Sequence, residues 1–331
     1  MQPRFFTGRP HSSRPETPAV LPKMGTVRHP DPSAYLADEG LIDAVNVALL
    51  LGQPLLLTGE PGTGKTQLAH ALAWELGWEA PLLFETKTAS VSKDLFYIFD
   101  TLGRFHAAHG GKEVDARLFM TFQALGLAIL HANPPGEVQD LLTPALRSAS
   151  PRRSVVLIDE VDKAPRDFPN DLLNELERMT FTIGELGGRR VTAPADFRPV
   201  VIFTSNSEKA LPEAFLRRCI FYHIPFPDTS RLEAIVAARL PDLLGQDSPL
   251  ASSAIAFVEY LRSEASDLRK QPSTAELLDY LSVAAQLGAD PKRTLGAQRN
   301  IAETALSTLS KIEEDQHEVR RLFDEFIEER A

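Results

Sequence analysis

The stretch Leu55-Leu56-Leu57-Thr58-Gly59-Glu60-Pro61-Gly62-Thr63-Gly64-Lys65-Thr66 constrains this chain more than any other. An apolar run of strand type leads into a glycine-rich turn. Leu68, Ala69, Leu72, Ala73 and Leu76 then recur at helical spacing and stop at Gly77. The turn fits the pattern G-x-x-x-x-G-K-[ST]. Glycines let backbone N–H groups turn inward around an anion without Cβ clashes, and a helix N-terminus adds unpaired N–H groups and partial positive charge. In that setting Lys65 reaches the β- and γ-phosphates of a nucleotide and the Thr66 hydroxyl ligates Mg²⁺. Gly59, Glu60, Pro61, Gly62, Thr63, Gly64, Lys65, Thr66 and Gln67 are therefore expected to form a nucleotide site.

With 331 residues, the chain exceeds one typical domain, so two domains and tails are expected. A net charge of −10 weighs against a general nucleic-acid-coating role, which carries a basic footprint. The single cysteine, Cys219, excludes an internal disulfide framework and fits a reducing cytosol, hence a cytoplasmic setting. Arg217 and Arg218 precede it and could lower its pKa, although a lone cysteine beside a strand is more often inert filler. No apolar run approaches the roughly 18 residues of a membrane span, and the arginine-bearing N-terminus lacks the apolar core of a signal peptide.

Residues 1–32 combine Pro3, Pro10, Pro15, Pro18, Pro22 and Pro30 with Arg4, Arg9, Arg14, Lys23 and Arg28, which predicts an extended, flexible extension. Targeting and packing on a neighbouring subunit both remain open for it. Residues 33–51 have helical spacing through Leu41, Val45, Ala48 and Leu49, with Tyr35 and Leu36 as core or adenine-side residues. Pro81 to Glu85 reads as a second strand. The segment around 87–150 is long for a simple crossover and reads as an insertion, with a helix through Leu118, Phe122, Leu125 and Ile129. His106 and His109 lie there, but a metal site needs more ligands.

Ser154-Val155-Val156-Leu157-Ile158 suits a strand buried on both faces of a parallel sheet, and it ends in Asp159-Glu160. Ligands of such sheets bind beyond the carboxyl ends of the strands. An acid there holds Mg²⁺ (Asp159), and a second orients and deprotonates water (Glu160). A helix over Asp171–Met179 and a β-hairpin over Phe181–Val191 follow. Val200-Val201-Ile202-Phe203 is another buried strand, finishing in Thr204-Ser205-Asn206, where Asn206 can position water or touch the γ-phosphate. A short helix from Leu211 ends in Arg217-Arg218, and Ile220 to Ile224 is the last strand. After Pro225-Phe226-Pro227-Asp228 only helical spacing remains, with capping-box pairs at Ser230/Glu233 and Ser273/Glu276, and further helices through Ile255 to Leu261, Ile301 to Ile312 and Val319 to Phe326.

A phosphate loop, an acid pair, an asparagine strand end, a double arginine and a helical appendage in this order resemble the AAA+ ATPases, and among them most closely the MoxR-like branch. The matching phrases are Gly59 to Thr66, Val156-Leu157-Ile158-Asp159-Glu160-Val161-Asp162-Lys163-Ala164, Leu211-Pro212-Glu213-Ala214-Phe215-Leu216-Arg217-Arg218 and Pro272-Ser273-Thr274-Ala275-Glu276-Leu277-Leu278-Asp279. The resemblance implies an α/β fold, a P-loop NTPase parallel sheet sandwiched by helices over 33–226, followed by a small all-helical lid over 227–331. It implies ATP and Mg²⁺ as ligands, Walker A at 59–66, Walker B at 155–160, and a sensor role for Asn206. It also implies an arginine finger at Arg218, with Arg217 as the alternate.

A finger supplied in trans adds roughly 10³–10⁵ to the rate of phosphoryl transfer, which makes hydrolysis depend on a homo-oligomeric ring, expected to be a hexamer. MoxR-like proteins often carry a γ-phosphate arginine at the start of a lid helix. The corresponding place here, Ser273-Thr274-Ala275, has none, and Arg269 or Lys270 are the substitutes at hand. The implied activity is ATP-driven, chaperone-like remodelling of a protein partner, usually one with a von Willebrand factor type A domain. The insertion and the hairpin near Gly184–Arg190 are candidates for facing a ring's pore. Two other readings are a nucleic-acid-directed motor or nuclease-activating subunit, and a weakly hydrolysing nucleotide-dependent switch. The acidic balance weighs against the first, and Glu160 with its finger against the second.

Overall fold

A computed structural model of the chain describes residues 31–108, 115–206, 209–241, 247–263 and 266–329. The chain divides into two compact units, one over Ala37–Pro225 and the other formed by the flanks up to Leu36 and from Phe226 onward. The proline-rich extension up to residue 30 and His109 lie outside the described residues.

Among the described residues, nine strands belong to the first unit: β1 Leu55–Thr58, β2 Leu82–Glu85, β3 Tyr97–Phe99, β4 Met120–Phe122, β5 Val155–Asp159, β6 Thr180–Ile183, β7 Arg189–Thr192, β8 Val200–Ser205 and β9 Ile220–His223. Five of them form one parallel sheet in the order β2-β5-β8-β1-β9. The three inner strands are buried on both faces, from Leu55 to Leu57, Val155 to Ile158 and Val201 to Phe203, as uninterrupted apolar runs require. The edge strands β2 and β9 instead mix exposed and covered positions. Because β8 is inserted between β1 and β5, the carboxyl ends of these three strands lie side by side.

Helix Glu39–Leu51 begins later than the spacing predicts, because Asp38 caps it by accepting from Leu41 N–H at 2.7 Å. Pro32–Ala34 is a separate 3₁₀ turn. The Asp38 cap is also held by the Tyr222 hydroxyl on β9, and a Cβ on Gly40 would meet Tyr222 at 2.9 Å. The helix predicted over Asp171–Met179 is two short pieces, Phe168–Asp171 and Leu173–Arg178. Met179 ends the second in the left-handed region at φ 45°.

The insertion departs most from expectation. Leu118 lies in a 3₁₀ turn, Ala116–Phe119, and Phe122 lies on β4, which pairs antiparallel with β3 around helix Thr101–Ala108. Only Leu125 and Ile129 sit on a helix, Ala124–His131. The hairpin β6–β7 is present, with Phe181 opposite Val191, and it docks on the insertion. Phe181 stacks on Phe96 at 5.2 Å, and Glu185 accepts from Tyr97 Oη at 2.6 Å and Lys93 Nζ at 2.7 Å.

The second unit is helical after Phe226, with helices Thr229–Arg239, Pro249–Leu261, Thr274–Gln286, Arg299–Ala305 and Glu313–Glu329. Ser273 and Glu276 form the expected capping box. At Thr229–Arg239 the cap is Asp228 rather than Ser230, since Asp228 accepts from Arg231 N–H at 2.9 Å. The predicted Ile301–Ile312 helix stops at Ala305 and gives way to a 3₁₀ turn, Leu306–Thr308. Phe257, Tyr280 and Phe323 are fully buried at the centre of this unit. Fold class is as the sequence predicts, a parallel α/β sheet with flanking helices and a helical C-terminal region. Among the described residues, no helix is long and apolar enough to cross a membrane.

Candidate functional site

The turn after β1 is built on three glycines in the left-handed half of φ space, Gly59 at 143°, Gly62 at 79° and Gly64 at 90°. Gly59 cannot be replaced for a second reason: a Cβ there would meet the Ile224 carbonyl oxygen at 2.7 Å. Thr63 closes the turn by donating its hydroxyl to the Glu60 carbonyl at 2.8 Å, while Glu60 and Pro61 face solvent. The helix that follows, Lys65–Glu75, has Gly64 as N-cap and no side-chain cap. Its first N–H groups are thus offered to an anion rather than to a neighbouring side chain. Gln67 lies in its first turn, half-buried.

Lys65 is 7% exposed and folds back over the loop, donating its ammonium to the carbonyls of Gly59 at 2.8 Å and Glu60 at 2.9 Å. Burial pulls its pKa below the usual lysine value, and the carboxylates of Asp159, Asp162, Glu160 and Glu60 oppose that fall. Loop carbonyls are weak partners for an ammonium compared with phosphate oxygens, so this position fits an anion arriving in the turn.

The strand order brings the acids to the loop. Thr66 Oγ1 donates to Asp159 at 3.2 Å to Oδ2 and 3.3 Å to Oδ1. Thr204, fully buried on β8, donates its hydroxyl to Asp159 Oδ1 and accepts the Glu160 N–H at 2.9 Å. Glu160 itself leaves the strand in a left-handed conformation, φ 55° and ψ 51°, which is uncommon for a non-glycine residue. Its Oε1 accepts from Asn206 Nδ2 at 3.1 Å, and its Oε2 pairs with the Lys163 ammonium. The Asn206 N–H points at Asp162 Oδ1, 3.4 Å away, and Asp162 is 2% exposed. A hydroxyl and a carboxylate side by side are hard oxygen donors of the kind Mg²⁺ takes. The residues present therefore fit that ion.

Gly59 to Gln67, Asp159, Glu160 and Asn206 thus meet at one end of the sheet. Arg217 and Arg218 do not. They precede β9, whose Ile220 N–H donates to the Pro54 carbonyl at 2.8 Å, so they stand level with the start of β1. At about 3.3 Å per residue, the four-residue length of β1 puts this roughly 13 Å along the strands from Gly59. Both are exposed. Arg217 pairs with Glu213, and Arg218 donates to the Ala214 carbonyl at 3.1 Å. Cys219 beside them is half-buried, and desolvation pushes its thiol up to about 12, the opposite of an arginine-activated thiolate. In the helical unit Arg269 pairs with Glu314 at 3.2 Å, and the backbone N–H groups of Arg269 and Lys270 both donate to Asp315.

Sequence reasoning missed Thr204 and Lys163 as members of the site. Thr204 had a signal, a polar residue closing a fully apolar run just before Asn206. Lys163 had only its spacing of three from Glu160. In comparisons with known proteins, no curated protein matches the chain. Residues 55–227, slightly more than half of the chain, match the ATPase family associated with various cellular activities (AAA), and on that match the chain belongs to the AAA ATPases.

Proposed function

We propose that the chain hydrolyses ATP between the Gly59–Gln67 turn and the β5 and β8 strand ends, as a hexameric ring that remodels or activates a protein partner in chaperone-like fashion. Membership of the AAA family brings ATP-driven activity in general, nucleotide binding that typically involves Mg²⁺, and a common tendency to form rings. The observation that supports hydrolysis is the single hydrogen-bonded set joining Thr66, Asp159, Thr204, Glu160 and Asn206.

In this reading Lys65 exchanges the two loop carbonyls for phosphate oxygens, and the open N–H groups of the Lys65–Glu75 helix bind the same anion. Thr66 and Asp159 would hold Mg²⁺, which when bound neutralises charge on the phosphate oxygens. Thr204 keeps Asp159 oriented. Glu160 accepts the proton of the attacking water, and Asn206 fixes the carboxylate from one side. Arg218, a strand's length from its own loop, serves the ATP of a neighbouring copy, and Arg217 is the alternate. The MoxR-like assignment, a von Willebrand factor type A partner and a cytoplasmic setting rest on sequence: the motif phrases for the first two and the single cysteine for the third. The insertion and the β6–β7 hairpin, docked on one another, are the surfaces proposed to face the pore.

The test pairs Glu160→Gln with Lys65→Ala. Glu160→Gln should bind ATP like the parent while losing at least about a hundredfold in phosphate release, and Lys65→Ala should lose binding. Unchanged binding in Lys65→Ala would overturn the site. Stimulation of turnover by DNA, with none by protein, would overturn the remodelling role.

A further inference from the structure

The hydrolytic reading uses one donor to Glu160, but the carboxylate has two. Asn206 Nδ2, just past β8, reaches Oε1 at 3.1 Å, and Lys163 Nζ pairs with the other oxygen, Oε2. The backbone prepares this. Glu160 is left-handed, and the 3₁₀ turn Val161–Lys163 that follows closes with the Lys163 N–H on the Glu160 carbonyl at 2.9 Å. The chain therefore doubles back and returns the lysine side chain to the glutamate. The turn is in turn tied to the segment after β8, since Lys209 Nζ donates to the Lys163 carbonyl at 3.2 Å.

A glutamate carboxylate rotates in a broad, roughly two-fold well about its last torsion. One donor fixes one oxygen and leaves the plane free to swing. Two donors, one for each oxygen, fix the plane. We infer that Lys163 is a positioning residue for ATP hydrolysis, setting the carboxylate plane of Glu160 jointly with Asn206. This rests on the reading of Glu160 as the group that accepts the proton of water. Both side chains are partly exposed, 41% for Lys163 and 35% for Glu160, and such pairs contribute little to stability. Loss of the lysine should register in turnover rather than in folding.

The experiment compares Lys163→Met and Lys163→Arg in the full chain, measuring ATP turnover and equilibrium binding of a fluorescent ATP analogue. Lys163→Met should lower kcat by about 10- to 100-fold, the scale of a misplaced catalytic group, while KM and analogue affinity stay at parental values. Lys163→Arg should recover most of the loss. A kcat for Lys163→Met equal to that of the parent would overturn the inference, as would a Lys163→Arg no faster than Lys163→Met. If Lys163→Met does not fold, Lys163→Gln takes its place under the same criteria. Glu160→Gln separates the two levels: if it still turns over, the hydrolytic reading fails, whereas an inactive Glu160→Gln beside a fully active Lys163→Met sinks the inference alone.

Discussion

Thr204 donates its hydroxyl to Asp159 Oδ1 and takes the N–H of the next residue, Glu160, at 2.9 Å. A single buried side chain thus holds both acids at the end of β5. Thr204→Val keeps the shape and removes both bonds, leaving the Glu160 N–H without its acceptor. The expected cost is about 1–3 kcal/mol, the desolvation penalty of an unpaired buried group, measured by urea denaturation. Turnover should also need more Mg²⁺, because Asp159 loses a partner that orients it, and Thr204→Ser should restore much of both.

Gly126 sits on helix Ala124–His131 where a Cβ would lie 2.0 Å from the Phe96 carbonyl oxygen. Backbone cannot give way as a flexible side chain can. Gly126→Ala should destabilise the α/β unit by about 1–3 kcal/mol or more, as overpacking does. Gly184 offers the control, since nothing lies within 4 Å of its Cβ position. Gly184→Ala should stay within about 0.5 kcal/mol of the parent. Thermal denaturation of the two variants checks the contrast.

Glu185 ties the β6–β7 hairpin to the insertion through Lys93 and Tyr97. Burial raises its pKa, but the hydrogen bonds from Lys93 and Tyr97 outweigh that and leave it below the ordinary 4.5. A carboxylate whose folded pKa is depressed stabilises the fold above its unfolded pKa and loses that contribution as pH falls through the folded one. The tie should therefore hold at pH 5 and above and loosen below about pH 4.5. Hydrogen exchange at the hairpin amides should accelerate there relative to the rest of the sheet, and Glu185→Gln should abolish that acid dependence.

Cys219 gives a chemical readout of the fold. With its thiol pushed from an ordinary 9.0 up to about 12 by burial, alkylation at pH 8 should run about a thousandfold slower than for a free cysteine, since only the thiolate reacts. In denaturant the rate should return to the ordinary value.

The phosphate loop and the β5 acids were legible because each is a contiguous phrase with its own local physics. The strand order was not. Nothing in the sequence says that β8 lies between β1 and β5, and only that insertion puts Thr204 against Asp159 and Asn206 against Glu160. The insertion deceives local spacing for a similar reason. Leu118, Phe122, Leu125 and Ile129 fall at spacings of four, three and four, which imitate a helix. In the structure Asp115 accepts from Arg117 N–H at 3.0 Å and starts a turn before Ala116–Phe119, and β4 then pairs with β3 across a separation that local spacing does not encode. At Cys219 the two neighbouring arginines are visible in the sequence, but the desolvation that raises the thiol is not.

The proposal that each nucleotide site is completed by a neighbouring copy is tested most directly by mixing two inactive variants. Glu160→Gln protomers keep Arg218 and lack the base, while Arg218→Ala protomers keep the base and lack the finger. Assembled together, some interfaces pair an intact Glu160 with an intact Arg218, and ATP turnover should rise well above the sum of the two separate preparations. Turnover of the mixture equal to that sum, in rings shown to contain both variants, would contradict the account.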